Sequence, residues 1–191
     1  MASQLEQWDE RADARLARWV YLGALCATVG WLGAILLPAW LMDHGRSALS
    51  HLLYEGFAVA CHQIPGRSYH LLGYPLAVCS RCTGIYVGAL LGLLAYPLVR
   101  PLASRRPPAR RWLLLAAVPV LIDFGGDWIG LWLNTFPSRT LTGGIAGMGG
   151  IFFLYPAIVE AIDDWRYPPP LPPQSPPSVL GCTTGRGMED A

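Results

Sequence analysis

Apolar residues gather in four long runs separated by charged or proline-rich stretches. A bilayer core of about 30 Å needs about 20 mostly apolar residues in a helix rising 1.5 Å per residue. The runs at about 19–41, 83–99, 112–133 and 140–162 meet or approach that length and predict four spans. Ahead of the first, Leu5, Trp8, Ala12, Leu16 and Trp19 recur at helical spacing among charges, which predicts an amphipathic leader over 1–18 lying at the interface. Between the first and second spans, the apolar patches 52–60 and 71–78 are each too short to cross, so one is expected to be re-entrant or interfacial. The stretch 165–191 is largely proline-rich and reads as a disordered tail. The expected fold is an all-α polytopic membrane helix bundle. It has one domain over 19–164, about four transmembrane helices, and an irregular segment between spans one and two.

Composition supports this picture and narrows the partners. Of 191 residues, 53% are hydrophobic and only 14% charged, about half the charged share of a soluble domain, so the lipid bilayer is the expected surrounding. The net charge is +1 and no basic stripe with interleaved aromatics appears, which argues against nucleic acid as a partner. Every one of the 14 basic residues is arginine, which excludes Schiff-base chemistry on a lysine. The first apolar run follows Arg11, Arg15 and Arg18 but is too long for a signal-peptide core and lacks a small-residue cleavage site, so it reads as an uncleaved anchor. In a four-span arrangement ten of the 14 arginines fall on the side of the termini, against Arg46, Arg67, Arg81 and Arg139 on the other. The positive-inside bias then puts both termini in the cytoplasm.

Two stripes of small residues stand out. Gly84, Gly88 and Gly92 share one face of the second span, and Gly143 and Gly147 one face of the fourth. Such faces let helix backbones approach closely in lipid, within the bundle or between copies in a homo-oligomer.

The chemistry concentrates in one place. All four histidines (His44, His51, His62, His70) and three of the five cysteines (Cys61, Cys79, Cys82) fall between residues 44 and 82. Three readings compete. In the first, Cys79 and Cys82 form a chelate that Cys61 and His62 complete, a Cys₃His set suited to zinc or another transition metal. Adjacent residues seldom ligate one ion, so His70 or His51 is the alternative fourth ligand, with His62 supporting it. In the second, Cys79 and Cys82 are a redox pair at a helix amino terminus, with Arg81 between them, both features favouring a thiolate. In the third, a disulfide or an ion merely fastens an irregular loop whose ordering entropy must be offset. A separate feature is Asp123 and Asp127, four residues apart on the third span. A carboxylate inside a span is costly and marks a functional candidate. The two could form a proton or cation path or bind the same ion as the cysteines, or pair internally with Arg139 or a loop arginine. Arg67, Arg139, Asn134 and His70 complete the set of supporting candidates.

The core of the segment reads Cys61-His62-Gln63, then Cys79-Ser80-Arg81-Cys82-Thr83-Gly84-Ile85-Tyr86. This resembles a family of uncharacterised, predicted integral membrane proteins of prokaryotes, defined by a Cys-His-Gln motif followed by Cys-x-Arg-Cys-x-Gly-Ile-Tyr. The likeness continues through Asp123, Asn134, Arg139 and the Thr142-Gly143 pair, over roughly residues 50–150. It implies a prokaryotic plasma membrane and a set of positions, and no activity.

Overall fold

The computed structural model describes the backbone of residues 2–166 and the side chains of residues 14–166. Five α-helices dominate: α1 (Ala2–Asp43), α2 (Ser47–Ala58), α3 (Ser80–Val99), α4 (Arg110–Trp128) and α5 (Phe136–Arg166). A 3-10 turn at Pro65–Arg67 and a two-stranded hairpin, β1 (His70–Leu71) with β2 (Tyr74–Pro75), lie between α2 and α3. The chain is mostly helical, as expected, with the short hairpin as the exception. The leader and the first span form one continuous helix. The expected disordered tail lies, beyond Arg166, outside the described residues, as does Cys182.

Among the described residues three helices are long and apolar enough to cross a membrane: α1 from Ala14, α3 and α5. The helix expected over 112–133 is α4, 19 residues long, and it is not among the three because Arg110, Arg111, Asp123 and Asp127 dilute its apolar run. It ends at Trp128 because Gly130, in the left-handed conformation (φ 76°), closes it. The Leu131 N–H reaches the Gly126 carbonyl at 2.9 Å and the Gly130 N–H that of Asp127 at 3.3 Å, the two bonds of a Schellman stop. Gly125 and Gly126 leave the helix intact. α5 then starts on a reciprocal cap. The Ser138 N–H donates to Thr135 Oγ1 and the Thr135 N–H to Ser138 Oγ, each at 3.2 Å, with Pro137 in the first turn where its missing N–H costs nothing.

The two glycine stripes find each other. Gly84 meets the backbone of Thr140, Gly88 that of Gly144 and Gly92 that of Met148, while Gly143 and Gly147 sit against the carbonyls of Arg81 and Ile85. A Cβ at Gly88 would collide with the Gly144 carbonyl oxygen. The register rises in step on both helices, so α3 and α5 run parallel. The faces expected to admit another helix, or a second copy, are filled by one another within the chain. α4 packs on α5, with the Cβ of Ala116 against Gly149.

α1 runs antiparallel to α3. At one end of the bundle the Tyr21 hydroxyl donates to Leu93 O at 3.1 Å, and Tyr155 packs on Tyr96 with its hydroxyl in reach of Ala17 O and Leu102 O. At the other end Pro38 interrupts the α1 ladder. In the turn before it, the Ile35 carbonyl accepts the Ala77 N–H at 3.3 Å, and the Pro38 carbonyl accepts Ser50 Oγ at 2.8 Å.

The segment between the first two spans is therefore more regular than its sequence suggests. The patch 52–60 falls in α2, which at 12 residues is too short to span. The patch 71–78 is most of the hairpin, turning through Leu72 (φ 55°) and Gly73 (φ 85°), and the irregular stretch that leads into α3. Two consecutive left-handed residues are what a tight two-residue hairpin requires. Ile35, Ala39, Phe57, Cys61, Leu76, Ala77 and Val78 form one buried cluster that holds these pieces against α1.

Candidate metal centre

Cys61 follows α2, its N–H bonded to the Phe57 carbonyl at 3.0 Å, and its side chain is buried in the apolar cluster just described. Two residues on, Gln63 adopts a left-handed conformation (φ 51°) and its side-chain amide donates to Tyr54 O at 2.6 Å. Tyr54 in turn donates to Pro75 O at 2.5 Å, tying α2 to the hairpin. Val78, fully buried, delivers Cys79 to the amino terminus of α3, and Cys82 follows in its first turn.

These two segments bring three sulfurs together: Sγ of Cys61, Cys79 and Cys82 all lie within 4.8 Å of one another. The Cys79 N–H donates to Cys61 Sγ at 3.2 Å. All three are free thiols, as is the exposed Cys26 on α1. A tetrahedral ion with metal–sulfur bonds of 2.3 Å needs sulfurs about 3.8 Å apart, so a contraction of an ångström or less would close the three on one ion. Cys79 is also acidified: hydrogen bonds from the Cys82 thiol and backbone N–H, then from Cys61 and the Arg81 N–H, outweigh burial and lower its pKa to about 5.

The cysteines line a cavity of about 370 Å³ together with Ala60, His62, Gln63, Ile64, Arg67, Arg81 and Phe124. Among the described residues the closed group of ligand-type side chains holds the three cysteines alone. His62, expected as a ligand, lines the cavity but is exposed and outside the group, and His70 and His51 are exposed elsewhere. His44 stacks on Trp40 with ring centroids 4.1 Å apart.

Arg81 connects the cysteines to α4. Its Nη2 lies 2.5 Å from Asp123 Oδ2, and its guanidinium sits 5.6 Å from the Phe124 ring centroid. Asp127, one turn further, belongs to a different group: it lies 3.7 Å from Arg139 and accepts the Asn134 N–H at 3.2 Å. Both acids of α4 are thus paired with arginine. The sequence did not single out Tyr69, whose hydroxyl meets Thr140 Oγ1 at 2.7 Å, while Thr140 also donates to Ser80 O at 3.3 Å. This pins the hairpin and α3 to α5. An aromatic residue just before an alternating strand gave no signal for such a role.

A family profile described as "Predicted membrane protein (DUF2085)" matches residues 61–153, from the first cysteine of the cluster into α5. The chain is 37% identical over 114 residues to an uncharacterized protein of Methanocaldococcus jannaschii, covering 60% of this chain and 73% of that one. It is 36% identical over 93 residues to an uncharacterized protein of Methanothermobacter thermautotrophicus, covering 49% of this chain and 82% of that one. No solved structure matches.

Proposed function

From the premise that the chain belongs to the DUF2085 family of predicted membrane proteins, we propose that it binds a transition metal ion, zinc by preference, through Cys61, Cys79 and Cys82. The observation that carries this reading is the convergence of three free thiols from two separate segments to within 4.8 Å. Three soft sulfur donors suit zinc. The cavity beside them leaves room for a fourth ligand, and His62 in its wall is the imidazole available for that position. Arg81, held by Asp123, supplies positive charge beside a set of thiolates.

The proposed setting is a four-span bundle in a prokaryotic plasma membrane with both termini cytoplasmic. Support for α4 as the fourth span comes from Leu114, Leu121 and Ile122, which it exposes much as the longer helices expose Leu22, Leu94 and Leu141. Contiguous exposed apolar surface of this kind needs a covering. The arginine asymmetry supports the orientation and puts the cysteines outside.

Elemental analysis of detergent-purified protein tests the metal. One equivalent of zinc per chain is expected, falling to near background in each of Cys61→Ser, Cys79→Ser and Cys82→Ser and unchanged in Cys26→Ser. Metal retained in all three variants overturns the site.

The acidity of Cys79 favours a second reading, thiol–disulfide exchange. The Cys79 thiolate would attack a substrate disulfide, and Cys82 would displace the mixed disulfide, leaving a Cys79–Cys82 bond and a reduced substrate dithiol. Metal-free protein carrying an isolable Cys79–Cys82 disulfide would decide for this reading.

A further inference from the structure

The space between α3 and α4 is unequal along its length. At the cysteine end the Arg81–Asp123 pair bridges it. At the opposite end a cavity of about 760 Å³ lies between the two helices, each of which packs on α5. That volume lies within the ~300–1,000 Å³ common among ligand sites. Leu115 and Trp112 of α4 form one wall, Val99 the other, and Met148 and Phe152 of α5 the floor.

The lining is apolar with one charged exception, Arg100, at the end of α3. The rim is basic: Arg110 and Arg111 open α4 and are exposed, and the Arg111 guanidinium lies 5.9 Å from the Trp112 ring centroid. No acidic side chain lines the cavity. Of the acids on the last turns of α5, Asp163 is held by Arg105 at 3.1 Å, and Glu160 and Asp164 lie outside the lining. An apolar slot between helices, with arginines and a tryptophan at its mouth, combines the features by which membrane proteins hold acidic lipid.

We propose that this cavity binds one anionic phospholipid, its acyl chain among Leu115, Met148 and Phe152 and its phosphate at Arg100, with Arg110 and Arg111 adding positive charge at the mouth. The site is independent of the cysteine cluster, which lies at the far end of α3.

Full-length protein in neutral detergent, titrated with phosphatidylglycerol, phosphatidylcholine or inorganic phosphate and read by native mass spectrometry, tests it. One phosphatidylglycerol per chain should bind in clear preference to phosphatidylcholine. Each engaged arginine is worth about fivefold, so Arg100→Gln should cut that preference about fivefold, while Arg46→Gln at the other end should leave it unchanged. Leu115→Trp, which fills the slot, should abolish tight binding of both lipids and carries the test should Arg100→Gln not fold. Equal affinity for the two lipids overturns the proposal. So does a preference left unchanged by Arg100→Gln, tight binding that survives Leu115→Trp, or displacement of the lipid by inorganic phosphate, which would mean that the headgroup alone is recognised.

Discussion

The Arg81 guanidinium, carried between two cysteines in the first turn of α3, lies 2.5 Å from the Asp123 carboxylate of α4. Asp123 is only 7% exposed. A carboxylate this deep in an apolar helix is tolerable when a cation meets it, and the cation comes from the motif that carries the thiols. The cost of burying Asp123 and the placing of the cysteines are thus linked through one side chain.

Breaking that pair should be costly in one direction and partly reversible. Asp123→Asn leaves Arg81 without its counter-charge, and losing one partner of a buried pair costs about 3–5 kcal/mol. Thermal unfolding in detergent should show a marked fall for Asp123→Asn and for Arg81→Gln. The double variant should be more stable than the sum of the two losses predicts. Strict additivity would mean that the two side chains do not support each other.

The glycine seam makes a sharp contrast with other glycines. Gly88→Ala places a methyl group against the Gly144 carbonyl, so α3 and α5 must separate, at about 1–3 kcal/mol for an overpacked contact. Gly23→Ala in α1 has open space around it and should be neutral or slightly stabilising. Melting temperatures of the two variants check this, and equal values would remove the seam as a stabilising contact.

The Cys79 pKa, lowered from 9.0 to about 5 in the metal-free protein, sets a pH window. A group depressed in the folded state contributes stability that is complete above its unfolded pKa, declines as pH falls from about 9 to about 5, and is gone below that. Metal-free protein should therefore become less stable on acidification through this range. At about pH 6 iodoacetamide should already modify Cys79, because the thiolate is the reacting species. Peptide mapping reads the outcome. A Cys79 rate that rises only near pH 8 and above would remove the thiolate and the exchange reading with it.

The orientation can be tested at Gly66, exposed in the turn between Cys61 and the hairpin and with open space for a side chain. Gly66→Cys should react with an impermeant maleimide on intact cells. Ser68 nearby would mislead, since it is fully buried with its hydroxyl on Ile64 O. Reaction at Gly66→Cys only after lysis reverses the bundle and puts the thiols on the cytoplasmic side.

Much of the bundle was legible because lipid imposes long apolar runs and close packing imposes small residues. Gly84, Gly88, Gly143 and Gly147 announced a helix contact, though not that the two stripes would meet each other. The gathering of Cys61, Cys79 and Cys82 followed from their spacing. Other features depend on tertiary rotation and left no trace in the chain. Asp123 and Asp127, four residues apart, share a face, so sequence could not say which of them an arginine beside the cysteines would reach. It is Asp123, and Asp127 meets Arg139 instead. The place of His62, exposed in the cavity wall, was equally hidden, because it depends on how the turn after α2 folds against α3. The early end of α4 could have been read from Gly130, but the apolar residues beyond it, Leu131 to Leu133, mask the stop.

The parallel arrangement of α3 and α5 also dictates an order of events during synthesis. Ser80 and Thr140, which meet across the seam, are 60 residues apart, and the chain must travel back through all of α4 before the second can reach the first. Until α5 emerges, the glycine face of α3 has no partner from its own chain, and Asp127 lacks Arg139, which α5 carries. The seam is therefore the last contact of the bundle to close, and it cannot close on α3 and α4 alone.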